Sequence, residues 1–370
     1  MATNRTLHRA KAGRNDEFYT QLSDIESELR HYRSHFKGKT VLCNCDDPRV
    51  SNFFKYFALN FEILGLKKLI CTCYKNQEPD LFSQHDSEKA VYIIYEGDKN
   101  GNKVPDPSEM EVLPLKGDGD FRSEECIDLL KQADIVCTNP PFSLFGVYIN
   151  QLIHYDKKFL ILGRMSALHK ANIFPYIMDG KVWMGYGFNM SMIYKAPYDN
   201  VEEANQKYVR SKGYNPDEHY IKVPAICWFT NLDHPKRHEE LILYKTYNSA
   251  DYPQYDNYDA IEVGKVAEIP LDYDGVMGVP DTFLGVMNPD QFEVLGASQR
   301  GCHDRVPDTK KYDDYWEVKQ DGSKTGSSGS KTNENANLCR NDGRHNYFIN
   351  NDGHIVQSAY SRIFIRRKQK

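Results

Sequence analysis

The residues best placed to do chemistry lie within residues 133–145, ADIVCTNPPFSLF, where Asn139-Pro140-Pro141-Phe142 follows a short apolar run. Ile135, Val136 and Cys137 have the length and β-branching of a buried strand, and the prolines end it. Each proline fixes φ at about −65° and removes a backbone donor. Each also pushes its predecessor out of helical geometry, so Asn139 and Pro140 are both held extended. A stiff rim of acceptors results, at the carboxyl end of a strand, where open α/β sheets bind their ligands. The Asn139 side-chain carbonyl and the Pro140 main-chain carbonyl can both accept from one planar –NH2 group, and Phe142 offers a flat face to a ring. Such a site suits the exocyclic amine of a nucleobase. An ordinary turn is the plainer reading of the tetrapeptide, but a strand before it and a helical stretch after it are the context the chemistry requires.

A rim of this kind needs a sheet to hold it. Residues 40–45 read as a strand running into Asp46-Asp47-Pro48, and residues 50–64 follow with helical spacing at Phe53, Phe54, Phe57, Phe61 and Leu64. Strand, polar turn and helix open a mononucleotide-binding unit, here without a glycine fingerprint. A second strand is expected at 66–74. Residues 90–104 predict a hairpin turning at Gly97-Asp98 or Asn100-Gly101, ahead of a third strand at 111–115. Gly117-Asp118-Gly119-Asp120-Phe121 is a flexible turn, and 123–131 a capped helix leading into the rim strand. Beyond the rim come a helix at 144–153, a strand at 158–163, a helix at 167–178, and strands near 182–186 and 224–230. The alternation over 40–165 predicts an α/β fold with a parallel, doubly wound, Rossmann-like sheet. Upstream, Asn15 and Asp16 before Ile25, Leu29, Tyr32 and His35/Phe36 predict a capped amphipathic helix, which leaves Phe18-Tyr19-Thr20 unexplained.

Past residue 244 the texture changes. Residues 245–345 are rich in Tyr, Asp, Asn and Gly, with the low-complexity stretch Ser323–Lys331, and predict a loop-rich accessory region. Residues 358–367 alternate like a strand. The expected organisation is a basic arm at 1–14, a main α/β domain at 15–244, the accessory region at 245–357, and a terminal strand with a basic tail at 358–370.

The 370-residue chain can bury a large core. Its net charge of −5 does not announce a polyanion binder, so contact with nucleic acid needs locally basic surface. Residues 1–14 supply Arg5, Arg9, Lys11 and Arg14 without an acid, and residues 361–370 supply Arg362, Arg366, Arg367, Lys368 and Lys370 without an acid. Solvated tails and phosphate contacts account for them equally well. Residues 251–293 hold ten acids against the single Lys265 and are expected to face away from phosphates. The nine cysteines are scattered and odd in number, which fits a reducing compartment. Cys43-x-Cys45 and Cys71-x-Cys73 could gather four thiols at two strand ends, but small apolar thiols at alternate strand positions explain them better, and no metal is expected. Nothing approaches the apolar length of a signal peptide or a membrane span, so a cytoplasmic protein is expected.

Three stretches occur in order: Asp16-Glu17-Phe18-Tyr19-Thr20-Gln21, then residues 41–48, then Asn139-Pro140-Pro141-Phe142. They resemble motifs X, I and IV of amino-group DNA methyltransferases. The wider wording, Asn44-Cys45-Asp46-Asp47-Pro48-x-x-Ser51-Asn52-Phe53-Phe54 with Asn288-Pro289-Asp290-Gln291-Phe292 downstream, is similar to the EcoRI-type adenine modification methylases. The resemblance implies a class I S-adenosylmethionine-dependent catalytic domain at 15–244 that methylates N6 of adenine in double-stranded DNA. It implies target recognition in 245–357, a monomer, and a restriction-modification setting with a cognate endonuclease.

By the same resemblance Phe18, Tyr19 and Thr20 lie against the cofactor's methionine end. Asn44, Asp46 and Asp47 stand where the first motif holds the cofactor, Asp120 and Phe121 meet its adenine with Asp118 as a rival, and Asn139, Pro140 and Phe142 clamp the amine. The usual glycines of the first motif are missing. No acid ends the second strand at Cys73 and Tyr74, so the ribose ligand stays open. Cytosine N4 methylation, methylation of a protein glutamine, and a non-catalytic DNA-binding regulator are the rival readings. Arg300, Arg305, Lys310, Lys311 and the 323–337 loop are base-reading candidates by location alone, with surface solubility as the plainer account.

Overall fold

The computed structural model describes residues 19–45, 51–73, 90–102, 105, 109–195, 203–298 and 305–368. They fall into two compact units, Met1–Ala167 with Trp183–His234, and Leu168–Val182 with Pro235–Lys370. The division thus comes ahead of the change of texture at 244, takes a short segment from the middle of the chain into the second unit, and does not set the terminal strand apart.

In the first unit the described strands are β1 (Tyr19–Thr20), β2 (Thr40–Asn44), β3 (Lys68–Thr72), β4 (Val91–Tyr95), β5 (Met110–Pro114), β6 (Ile135–Thr138), β7 (Lys158–Arg164), β8 (Trp183–Met184), β9 (Met190–Lys195) and β10 (Tyr220–Thr230). They form one sheet in the order β1-β9-β10-β7-β6-β2-β3-β4-β5, with β8 beside β10. The doubly wound α/β core is present, but the sheet is mixed. Only β2, β3, β6 and β7 run parallel to one another. β4 is antiparallel to β3, and β5 to β4. A hairpin does follow residue 90, yet its returning strand is β5 and not the residues before 104. The turn between has left-handed Gly97 and Gly101 and is pinned by the Glu109 carboxylate, which accepts from Lys99 N at 2.7 Å and Asn100 N at 3.2 Å.

Five helices of eight residues or more matter here: α1 (Leu22–Leu29), α2 (Asn52–Leu59), α3 (Glu124–Gln132), α4 (Phe145–His154) and α5 (Glu203–Ser211). Ser51 and Ser123 cap α2 and α3 by accepting from the N–H three residues on, at 3.3 Å in both. The helix predicted over 50–64 breaks at Asn60 and ends at left-handed Gly65, while that predicted over 167–178 reduces to Phe174–Met178. α1 begins only at Leu22, because Tyr19 and Thr20 are taken up as an edge strand paired with β9. That pairing accounts for Tyr19 and Thr20 of the stretch that helical spacing left over.

Both sheet faces are covered, which is why β2, β3 and β6 read as unbroken apolar runs. Val41, Cys43, Leu69, Cys71, Ile135 and Cys137 share one core with Ile25 and Leu29 of α1 and Phe53 and Phe57 of α2. On the opposite face Phe145 of α4 meets Phe229 edge-on at 4.8 Å, and a Cβ at Gly163 would come 2.5 Å from the Phe145 ring. Burying one such phenylalanine contributes roughly 1.5–3 kcal/mol.

The second unit is loop-rich as expected, and its short strands gather into two sheets. In one, Arg362–Arg367 lies between Met277–Pro280 and Phe292–Ala297, with Ile261–Glu262 outermost. In the other the order is Lys324–Ser328, Trp316–Val318, Tyr347–Ile349, Ile355–Ser358, Asn337–Leu338. The strands are short and turn residues separate them, so composition alone disguised them. Among the described residues, basic side chains of the carboxyl-terminal segment have partners within the unit. Arg362 is buried on Glu262, Arg366 pairs with Glu293 at 2.6 Å, and Lys368 Nζ donates to Pro289 O at 2.6 Å. Acids of the 251–293 block are therefore partners for these bases.

Candidate active site

β2 and β6 lie side by side in parallel, with Val41 opposite Ile135 and Leu42 opposite Val136. Asn44 and Thr138 therefore end the two strands at one level, and the Thr138 hydroxyl donates to the Asn44 main-chain carbonyl. The chain leaves β2 for β3 on one side and returns on the other side as β6. Here the strand order reverses, and doubly wound sheets form their ligand crevice at such a point.

On the β2 side, Asn44 is fixed by Tyr148, a fully buried residue of α4 whose hydroxyl donates to the Asn44 side-chain carbonyl. Burial pushes the Tyr148 phenol well above its ordinary range, so it stays a donor. The Tyr148 ring meets Phe121 edge-on at 5.0 Å, and Gln151 Nε2 donates to Phe121 O at 2.9 Å. Asp120 is joined to Arg122 by bonds of 2.5 and 2.9 Å, and that guanidinium holds its carboxyl below the usual range. Gly119 has φ +79° and lies so close to the end of β3 that a Cβ would come 2.1 Å from Cys73 O. The loop predicted to meet a cofactor is thus brought to the carboxyl ends of β2 and β3. Tyr148→Phe is expected to strand the Asn44 carbonyl, buried at 6% exposure, and to lower stability by about 1–3 kcal/mol in urea titration. An unchanged midpoint would show the bond to be idle.

Cys45, directly after β2, has φ +90°. Glycine ordinarily supplies that conformation at no steric cost, and a non-glycine residue held there costs about 1–3 kcal/mol. The glycine missing from the sequence is therefore replaced by a strained cysteine with the glycine-like backbone. Asn52 Nδ2 donates to Thr20 O at 2.8 Å, which draws β1 to the start of α2. Thr20 is 1% exposed, and its hydroxyl has no hydrogen-bond partner among the described residues. Phe18, Asp46 and Asp47 lie outside the described residues, and of Tyr19 only the strand is described.

On the β6 side, Asn139 is 4% exposed, Pro140 is buried, and Phe142 is half-buried against the core. The rim is thus covered where an open lip was expected. Leu144 N donates to Pro141 O at 3.0 Å, closing the turn that launches α4. Arg164, at the end of neighbouring β7, places its guanidinium 5.4 Å from the centre of the Phe142 ring, and its buried Nε has no partner among the described residues. Burial drives the Cys137 thiol far up, so it stays neutral behind the rim. Sequence reasoning missed Tyr148 and Arg164. The one signal for Arg164 was its position at the end of the strand following the rim.

Other candidates sit elsewhere. Asn288 Oδ1 accepts from Asp290 N at 2.8 Å and Gln291 exchanges bonds with Leu241, so the 288–292 motif is a structural turn. Arg305 pairs with Asp179 at 2.7 Å, Lys310 with Asp256 at 2.8 Å, and Lys311 with Asp308, while Arg300 lies outside the described residues. A cleft bordered by Lys39, Asp134, Lys157 and Asn231 opens at the amino ends of the parallel strands, the wrong end for the crevice.

A doubly wound α/β core with an Asn-Pro-Pro-Phe rim at its switch point defines a class I methyltransferase acting on an amino group. The chain belongs to the EcoRI family of adenine-specific methyltransferases: the family described as "Adenine-specific methyltransferase EcoRI" matches residues 6–368. It is accordingly an adenine-specific DNA methyltransferase. It is 49% identical to the Type II methyltransferase M.EcoRI of Escherichia coli over 297 residues, which cover 80% of this chain and 89% of that one. It is 41% identical to M.MgeORF184P of Mycoplasma genitalium (78% and 85% covered) and 39% identical to M.MpnI of Mycoplasma pneumoniae (78% and 84%). No solved structure matches the chain.

Proposed function

We propose that the chain turns one adenine out of duplex DNA and methylates its N6 amine with S-adenosylmethionine, at the switch point between β2 and β6. The single observation that supports this reading is the level meeting of Asn44 with Thr138, which precedes Asn139 in the chain, so that a methyl donor on the β2 side would lie beside an amine on the β6 side. The donor side fits such a molecule: a backbone in glycine conformation at Cys45 permits close approach, and the buried Thr20 hydroxyl has no hydrogen-bond partner among the described residues. Phe18, Tyr19 and Thr20 would hold its methionine end, Asn44, Asp46 and Asp47 its middle, and Asp120 and Phe121 its adenine. When bound, it supplies an electrophilic methyl group.

The protein's own residues do the rest. The carbonyls of Asn139 and Pro140 accept hydrogen bonds from the two N–H groups of the amine, which draws the nitrogen out of conjugation with the ring and aims its lone pair. Phe142, backed by Arg164, takes the base by stacking. Catalysis is then mostly orientation and preorganised dipoles in a dry site. Asn139 is neutral, so the clamp needs no tuned acid or base, and the amine proton leaves after transfer. Because the rim is covered, admission of the base adds a local rearrangement to the few kcal/mol of unstacking.

The reading extends to a cognate endonuclease, a monomer and a cytoplasmic location; no described helix is long and apolar enough to cross a membrane. Labelled methyl transfer into duplex DNA, followed by nucleoside digestion, tests it. Label in N6-methyladenine is expected. Label in N4-methylcytosine or in protein glutamine would overturn the substrate, and no transfer at all would favour a non-catalytic binder.

A further inference from the structure

We propose that the second unit carries a transition-metal site, best suited to Zn2+, made by Asp256, Cys339 and His354. Among the described residues this is the group whose ligand atoms converge. Cys339 Sγ lies 3.3 Å from Asp256 Oδ1 and 3.5 Å from His354 Nε2, and His354 Nε2 lies 3.6 Å from Asp256 Oδ1. With Zn–S of about 2.3 Å and Zn–N and Zn–O of about 2.0 Å, a tetrahedral ion holds its ligand atoms roughly 3.3–3.6 Å apart. The three atoms therefore already form one face of such a tetrahedron. Sulfur, imidazole and carboxylate together match zinc better than the oxygen-seeking Mg2+ or Ca2+.

The surroundings are those of a metal site as well. His354 Nδ1 is 2.7 Å from the Tyr315 hydroxyl, which can fix the tautomer that leaves Nε2 a lone pair. The Asp256 carboxylate uses its other oxygen, Oδ2, to accept from Lys310 Nζ at 2.8 Å and the Tyr312 hydroxyl at 2.9 Å, leaving Oδ1 on the shared face. Lys310 opposes a cation by its charge, yet it also holds the carboxylate ionised and oriented. The scaffold is rigid. Asp256 N donates to Asn337 O at 2.8 Å, and Leu338 pairs with Gln357, so Cys339 and His354 flank one short ladder. Cys339 is exposed, giving an entry path and room for water as the fourth ligand. Binding converts the thiol to a thiolate and releases its proton to solvent.

The test uses untagged, full-length protein stripped with chelator and titrated with Zn2+ or Co2+ alone. One equivalent of zinc per chain is expected, with proton release and a rise in Tm. The cobalt form should show thiolate-to-metal charge transfer. Cys339→Ser and His354→Ala should each lose the binding, while Tyr315→Phe should keep the stoichiometry and weaken affinity by about 10-fold or more. No saturable binding to the parent protein, or zinc binding undiminished in Cys339→Ser, would overturn the site. Cobalt bound without charge transfer would do the same.

Discussion

Asn139→Ala is expected to lower the single-turnover rate of adenine methylation by at least about 100-fold while leaving the affinities for S-adenosylmethionine and for duplex DNA within about threefold. Removing one preorganised hydrogen-bonding group at a reacting centre costs about 10²–10³ in rate, because it acts in a water-excluded site and on charge that develops during the reaction. Asn139 lies at 4% exposure on the rim, so it has that environment. The substitution removes the side-chain acceptor and leaves Pro140 in place, and a single acceptor can neither bend the amine nor aim it. Rate and affinity must be measured separately. A variant with near-parental turnover removes Asn139 from the clamp. One that loses DNA or donor binding in proportion to rate makes it a residue of the fold.

Arg362→Met is expected to lower the stability of the second unit by about 3–5 kcal/mol, and Arg362→Met combined with Glu262→Leu to recover most of that loss. Arg362 meets Glu262 through Nε at 3.0 and 3.1 Å and through its terminal nitrogen at 2.6 Å, with the two side chains 10% and 9% exposed. Tyr255 donates to the same carboxylate. Breaking such a pair leaves Glu262 as a buried charge without its cation, which is strongly destabilising, whereas exchanging both partners for apolar groups is often neutral. Urea unfolding of the two variants, with DNA affinity measured alongside, separates the alternatives for the basic terminal residues. Intact stability with weakened, less salt-dependent DNA binding would make Arg362 a phosphate contact instead.

What could be read in the sequence was what depends on neighbours along the chain. Proline stereochemistry fixed the rim at 139–142 whatever surrounds it, and Ser123 announced α3 by the same local logic. Features that depend on partners distant in the chain could not be read. Tyr148 matters because α4 packs across the end of β2, and Arg164 because β7 lies beside β6. The missing glycine left close backbone approach unaccounted for, since nothing in the letters shows that Cys45 adopts the conformation anyway. For the basic carboxyl-terminal residues the sequence left solvated tail and phosphate contact even, because pairing across a sheet leaves no trace in composition. Asp256, Cys339 and His354 follow no spacing rule at all, whereas of the Cys43/Cys45 and Cys71/Cys73 pairs, which do suggest one, Cys43 and Cys71 are strand residues packed into the core.

The placement of Arg362–Arg367 has a bearing on how the second unit is assembled. This late segment sits in the middle of its sheet and hydrogen-bonds Met277–Pro280 on one flank and Phe292–Ala297 on the other. During synthesis those two earlier ribbons emerge first and must wait, their inner borders unsatisfied and open to wrong pairing, until the last one slots between them. Closing so long a loop is slow, so this sheet completes late, and a polypeptide stopped before residue 362 would leave it sticky.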